Sequence, residues 1–408
     1  MARPNVTVLI DDQSYVIPNS ESGSLVRGGV YSFKGLVLAL GNTAERQEGL
    51  MVVSTPNDWI AKLQTREATG VVPDNQYHYT GTHAAGTTGA AWPYGPTGNW
   101  QNEWWAVHNY LQYGGICIVG ATGTDSNKSE PTAGANSLAD KSIPLDVIFA
   151  ATGGSDHTNL VSTVASTRGD CIGVVPDSTI GHHTSTPTRQ GGADEFNVCV
   201  FGTKRHLGIS RGTDNDGTTS LVTTSCCPDV AGAIARTDRD AAPWYSPAGF
   251  KRGSILDVVR LEYDLDEGEQ DVLYDLKINP VVAFPGEGTV LFGDKTGAAN
   301  TSTLSRINVS RLFIFLKKTV GAAARDKLFE VNDALTRASF VNAVTPVLES
   351  IRARRGIYDY RVVCDGSNNT DALIDANQFI ADVFIKPAKS INYIRITFTN
   401  KNTADSLE

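Results

Sequence analysis

SRINVSRLFIFLKKTVGAAARDKLFEVNDALTRASFVNAVTPVLESIRARRGIYDYRVVCDGSNNT (Ser305–Thr370), continued by DALIDANQFIADVFIKPAKSINYIRITF (Asp371–Phe398), changes its hydrophobic period part-way. Phe340, Val341, Val344, Val347, Leu348 and Ile351 recur at three and four residues, one apolar stripe of a helix. Gly356 follows as the expected C′ residue, and Arg352, Arg354 and Arg355 fall in the last turn, where cations complement the helix dipole. Tyr360–Cys364, Phe379–Lys386 and Ile391–Phe398 alternate instead, as strands do. Nothing in this cassette has the residue types of a catalytic constellation. It reads as a scaffold whose product is a surface.

At 408 residues the chain predicts two or three domains. With 41% hydrophobic and 19% charged residues it belongs to the globular class. A net charge of −9 argues against a coat on nucleic acid, which needs a basic excess. The apolar run Leu312–Leu316 is cut by Lys317 and Lys318, so no membrane insertion is expected. The start, MARPNVTVLIDD, lacks the apolar core of a secretion signal, and synthesis and use in a cytoplasm follow as the expectation. Cys117, Cys171, Cys199, Cys226, Cys227 and Cys364 are scattered, mostly within apolar runs and without zinc spacing; they read as reduced, buried thiols.

Val6, Val8 and Ile10 alternate within Asn5–Ile10, a short terminal strand, and Asp11–Gly29 has the composition of a connector. Val30–Ala39 is strand-like. Thr55–Gln64 predicts a helix with Thr55 as N-cap and Pro56 at its first position. Asn99–Tyr113 predicts an aromatic-rich helix in which His108 is a packing residue. The apolar runs Gly114–Gly120, Leu145–Ala150, Cys171–Pro176 and Phe196–Phe201 alternate with helical or loop material, the pattern of an α/β unit with a partly parallel sheet. His182 and His183 sit in a loop without carboxylates, and Asp214–Asp216 lacks the glutamate of a calcium loop, so no metal is expected.

The sharpest enzyme-like signal is GTVLFGDKT, Gly288–Thr296. A phosphate-binding loop requires lysine directly after its second glycine, whereas Asp294 intervenes before Lys295, and an apolar strand fills the loop interior. A strand and tight turn is the reading, with no cofactor. No G-x-S-x-G elbow occurs, and the carboxylate run Asp264–Asp275 reads as a solvated face.

RINVSRL, LFEVNDALTRASF, GIYDYRVVCDGSNNT and IKPAKSINYIRITF resemble the C-terminal domain of contractile phage tail sheath proteins. AGAIARTDRD (Ala231–Asp240), APWYSPAG (Ala242–Gly249) and DLKINPVVAFPGEGTVLFGDKT (Asp275–Thr296) fit the same family in the same order. The resemblance implies a mixed α/β and α+β, multi-domain fold, with an inner helix-plus-sheet domain built from both chain ends and an inserted outer α/β domain. Residues 1–29 would join the inner domain, 30–249 would form the outer region, and 250–408 the inner sheath domain. The chain is short beside long members, which implies less outer decoration. The implied function is structural: a helical homopolymer with six-fold rings around a tail tube protein, met by baseplate and tail terminator proteins, in a virion tail assembled in the bacterial cytoplasm. Alternatives are a headless injection device or, from another class, a cytoplasmic α/β enzyme. Val6, Val8, Ile10, Ile394, Ile396 and Phe398 are the expected inter-subunit strand residues, and Arg352, Arg354 and Arg355 the expected tube-facing ones.

Overall fold

The computed structural model describes residues 10–11, 14–15, 26–32, 50–68, 101–121, 138–151, 155–177, 188–207, 221–299 and 302–392. In chain order these form β1 (Ile10–Asp11), β2 (Ser14–Tyr15), β3 (Arg27–Ser32), β4 (Leu50–Val53), α1 (Pro56–Ala68), α2 (Gln101–Leu111), β5 (Ile116–Ala121), β6 (Val147–Phe149), α3 (Ser155–Arg168), β7 (Ile172–Pro176), β8 (Asn197–Phe201) and β9 (Thr203–Leu207). There follow β10 (Leu221–Ser225), α4 (Cys227–Asp240), β11 (Arg260–Leu261), α5 (Glu267–Asp275), β12 (Ile278–Phe284), β13 (Gly288–Leu291), α6 (Ile307–Arg325), α7 (Ala334–Ala353), β14 (Ile357–Val363), α8 (Asp371–Asp375) and β15 (Asp382–Pro387).

An eight-stranded sheet in the order β13-β12-β8-β7-β6-β3-β5-β4 organises the first of two cores. Its six inner strands are parallel, and antiparallel β13 and β4 close the edges. Parallel strands are covered on both faces, so β6, β7 and β8 are buried at every residue. Side chains alternate between the faces: Val147, Phe149 and Val174 meet α2 and α4, while Ile148 and Val175 meet α3 and α5. A three-stranded antiparallel sheet, β10-β9-β11, sits beside this unit.

The expected cap of α1 is present, since Asp58 N–H donates to Thr55 Oγ1 at 3.1 Å. One boundary differs. Gly28 and Gly29 belong to strand β3 rather than to a connector. A Cβ at Gly28 would overlap the Tyr110 ring, and one at Gly29 would press on Leu138 and Leu145, so these glycines admit close neighbours.

The second core packs α6, α7 and the β14–β15 hairpin around Leu312, Leu316, Phe340, Val344, Leu348, Ile351 and Val383. The stripe read from the sequence is therefore the buried face of α7. Ala242 and Trp244, just after α4, also join this core, whereas β12 and β13 join the large sheet. The sequence border at 249/250 is thus crossed in both directions. β1 and β2 pair with each other, and β2 lies beside β15 without joining its ladder.

Helix α6 belongs to both cores. Val309, Leu312, Phe313, Leu316 and Val320, at helical spacing, face α7 and the hairpin. Ile307 and Ile314, one heptad apart, face the sheet unit. Between them Arg311 reaches Asp238 of α4 and donates to Asp146 O at 2.7 Å; Ser310 Oγ donates to Glu195 O at 2.6 Å, and Lys318 pairs with Asp146 at 2.8 Å. Burial opposes ionisation of Asp146, yet Lys318 and Arg311 hold its carboxyl below the ordinary value.

Removing one partner of a buried pair strands the other charge, at a cost of about 3–5 kcal/mol. Arg311→Ala is therefore expected to lower the unfolding free energy by about that amount in urea titrations. Lys389→Ala, at an exposed position, should leave it within about 0.5 kcal/mol.

Candidate assembly surface

The exposed end of α7 carries the three predicted arginines, and the structure separates their roles. Arg352 pairs with Glu349 one turn earlier at 3.1 Å and lies over the Tyr360 ring, whose hydroxyl donates to Glu349 at 3.0 Å. Arg354 is stitched to the loop after α4. Its guanidinium donates to Ala241 O at 2.7 Å and lies over the Trp244 ring, while its own carbonyl accepts from Trp244 Nε1 and Tyr245 OH. Arg355 is exposed, and its side chain has no hydrogen bond or ion pair among the described residues. Arg352 and Arg354 thus shape the surface, and Arg355 offers it a free charge.

The helix stop corrects the sequence reading. Arg355 N–H donates to Arg352 O at 3.0 Å and Gly356 N–H to Ile351 O at 2.9 Å, the two bonds of a Schellman motif. The left-handed C′ residue is Arg355, at φ 63°, and not Gly356. Gly356 is needed for space, because a Cβ there would lie 2.6 Å from Ile351 Cγ2 and 2.8 Å from Trp244 Cγ. A left-handed conformation costs an L-residue about 1–2 kcal/mol, and glycine or asparagine normally takes this position.

The β14–β15 hairpin is a two-stranded sheet that exposes Tyr358 and Phe384. Of the expected inter-subunit residues, Ile10 lies in β1, while Val6, Val8, Ile394, Ile396 and Phe398 lie outside the described residues.

Asp294 and its neighbours form a polar cluster that the sequence did not mark as a unit. Asp294 Oδ1 accepts from Arg306 Nη1 at 2.7 Å and Asn392 Nδ2 at 2.9 Å; Oδ2 accepts from Ser390 Oγ at 2.6 Å. Only the placement of Asp294 after a glycine turn was legible, because its partners lie far along the chain.

The families described as phage tail sheath protein central domain and phage tail sheath C-terminal domain match residues 102–297 and 299–401, in that order. The chain belongs to the contractile phage tail sheath family. It is 50% identical to the tail sheath protein of Vibrio phage KVP40 over 175 residues, which is 43% of this chain and 26% of that protein. It is 48% identical to the tail sheath protein of Enterobacteria phage T4 over 170 residues, 42% of this chain and 26% of the relative. The match thus spans about a quarter of the length of these curated relatives. The contracted helical sheath of the anti-feeding prophage has the same fold, with a TM-score of 0.66 at 16% identity, over 98% of this chain and 100% of that one.

The enzyme-like signals resolve within this sheath fold. In the GDKT turn, Lys295 N–H donates to Asn279 Oδ1, Thr296 N–H to Ser305 O and Gly297 N–H to Asn197 O. Those donors cannot cradle phosphate. Lys295 Nζ donates to Tyr274 O at 2.7 Å and sits over the Tyr274 ring, far from the role of a phosphate lysine. All six cysteines are free and buried, and no group of three metal-ligating side chains occurs among the described residues.

His108 stacks on Trp104, and His206 meets Trp105 edge-on with ring centres 4.7 Å apart. Close by, Lys204 pairs with fully buried Asp229 at 2.8 Å, and Tyr113 OH donates to the same carboxylate at 3.1 Å. Burial pushes the Asp229 carboxyl up, against the pull of Lys204. Burial also lowers both histidines from 6.5 to about 4, aided by His206 beside His108 and by Lys204 beside His206. Both rings are therefore neutral packing groups in the folded state.

Because the folded state binds these protons more weakly than the unfolded chain, stability is full above about pH 6.5 and falls as pH drops toward 4. The slope is about 1.4 kcal/mol per pH unit for each histidine. His206→Gln should flatten the decline of melting temperature across this window. An unchanged decline would remove the histidines as its cause.

Proposed function

We propose that this chain is the repeating subunit of a contractile tail sheath, polymerising helically around a tail tube and contracting to drive that tube through a host envelope. The ordered match of two sheath domains across residues 102–401 carries this reading. Identity near one half to sheath proteins of two phages supports the phage setting over a headless injection device. The immediate partner is a second copy of the chain, in six-fold rings. Tube, baseplate and tail terminator proteins complete the set, in a virion tail assembled in the host cytoplasm.

The core of α6, α7 and the hairpin forms the inner, tube-proximal body, together with the chain ends, and the three-layered α/β unit lies outside it. Arg355 faces an acidic strip on the tube. Its left-handed backbone supports this, because strain held at a bulky exposed residue is a mark of a functional position. Exposed ion pairs are each worth about 0–1 kcal/mol, so many of them can align a sheath while each stays breakable.

Arg355 also gives a clean experiment, which the triple substitution of all three arginines would not, since Arg354 holds the Trp244 loop. Arg355→Gly is expected to raise the unfolding free energy by about 1 kcal/mol while reducing assembly on purified tubes. Arg355→Glu should abolish tube coating without lowering the melting temperature by more than a few degrees. If both variants coat tubes as the wild type does in electron micrographs, the tube-facing role is wrong.

The chain ends link neighbouring subunits by strand addition. Unpaired hairpin edges recruit strands through main-chain hydrogen bonds, which hold partners together while their orientation changes. The β1–β2 segment beside β15 marks where such an arm docks; exchange of an identical element between copies turns that intramolecular neighbour into an intersubunit one. Deleting residues 1–20 is expected to give a folded, soluble monomer that forms no tubes by sedimentation or electron microscopy. Normal polymerisation of that truncation would end the linkage reading.

A further inference from the structure

We propose that Asp294, with Arg306 and Tyr274, is a latch that pins Ser390 and Asn392 and so fixes the point from which the C-terminal arm leaves the subunit; this rests on the reading that the chain ends link subunits.

Residues 388–392 are the return crossing between the two cores. Ala388 N–H is still bonded to Gly356 O, at 3.1 Å, in the hairpin core. Four residues later Asn392 Nδ2 donates to Tyr274 OH at 2.8 Å and to Asp294 Oδ1 at 2.9 Å, both on the sheet unit. Ser390 Oγ donates to Asp294 Oδ2 at 2.6 Å. Ser390 and Asn392 face the same way while Ile391 between them is 82% exposed, the alternation of an extended chain. The receiving side is built around a buried carboxylate. Asp294 is 3% exposed, its carboxylate is also held by Arg306 Nη1, and Arg306 Nη1 donates to Tyr274 OH, each at 2.7 Å. Hydrogen bonds to an ionised acceptor are the stronger kind, and both carboxylate oxygens are used.

The position of the latch gives it a mechanical meaning. Asp294 O also accepts from Ile307 N–H at 2.8 Å, so the same residue caps the first turn of α6, the helix shared by both cores. Tension on the arm beyond Asn392 therefore reaches the start of α6. Without the latch it would fall on β15, the last strand among the described residues, whose edge bonds can be peeled one at a time.

Trypsin tests the latch in the full chain. Lys386 precedes Pro387 and resists cleavage, whereas the bond from Lys389 to Ser390 is cleavable once the segment lifts off. Ser390→Ala with Asn392→Ala removes the arm's donors and leaves Asp294, Arg306 and the cap of α6 intact. Cleavage after Lys389, followed by mass spectrometry, is expected to accelerate at least tenfold, with an unchanged melting temperature. Asn392→Asp, which sets a second carboxylate against Asp294, should accelerate it as much at neutral pH. Rates within twofold of wild type in both variants would overturn the latch. A chain lacking residues 393–408 tests the linkage reading separately: it should not polymerise, and if it does, the linkage fails while the cleavage rates still decide the latch.

Discussion

Burial of two faces of α6 between two cores is the constraint from which the rest of the subunit follows. A helix apolar around most of its circumference has no stable place at a surface and must be enclosed. Here the enclosure comes from two different bodies, the sheet unit against Ile307 and Ile314, and α7 with the hairpin against Leu312, Leu316 and Val320. Arg311, reaching Asp238 and Asp146, adds directional bonds to that packing. Rotating one core against the other would break all of these together. In the proposed sheath, such a subunit would move as one body, with rearrangement confined to contacts at its surface.

The legibility of this arrangement in the sequence varied with the range of the interactions. The α7 stripe was readable because one face of one helix is buried, and the runs around Ile148, Val174 and Val198 were readable because parallel strands are apolar at every position. The two apolar faces of α6 were not told apart in the sequence, where the helix was read only as an apolar run cut by Lys317 and Lys318. Gly28, Gly29 and Gly356 were misjudged for one reason. Each was read as a local backbone signal, while each is fixed by a distant ring or side chain: Tyr110, Leu138 with Leu145, and Trp244. The junction between cores was hidden similarly, because Trp244 packs forward onto α7 and β12 pairs back onto β8.

The GDKT turn shows how one set of residues supports two readings until its hydrogen bonds are counted. Glycine, lysine and threonine beside a strand have the elements of an anion site. Asn279, from the neighbouring strand, occupies Lys295 N–H and accepts no replacement by phosphate without unpairing the sheet end. A turn whose donors are spent internally is rigid, and rigidity suits an anchoring role as much as it excludes a cradle.

Two classes of contact then divide the work of the proposed polymer. A net charge of −9 on every copy adds a repulsion between neighbouring copies that cohesion has to outweigh. Main-chain hydrogen bonds between added strands meet that need and are indifferent to ionic strength. The arginine at the end of α7 belongs to the other class: an exposed cation acts over about 8–10 Å in physiological salt and is released at little cost. A sheath must hold its own copies throughout while letting go of the tube. In the proposed polymer, uncharged ladders between copies and single exposed charges toward the tube would achieve both.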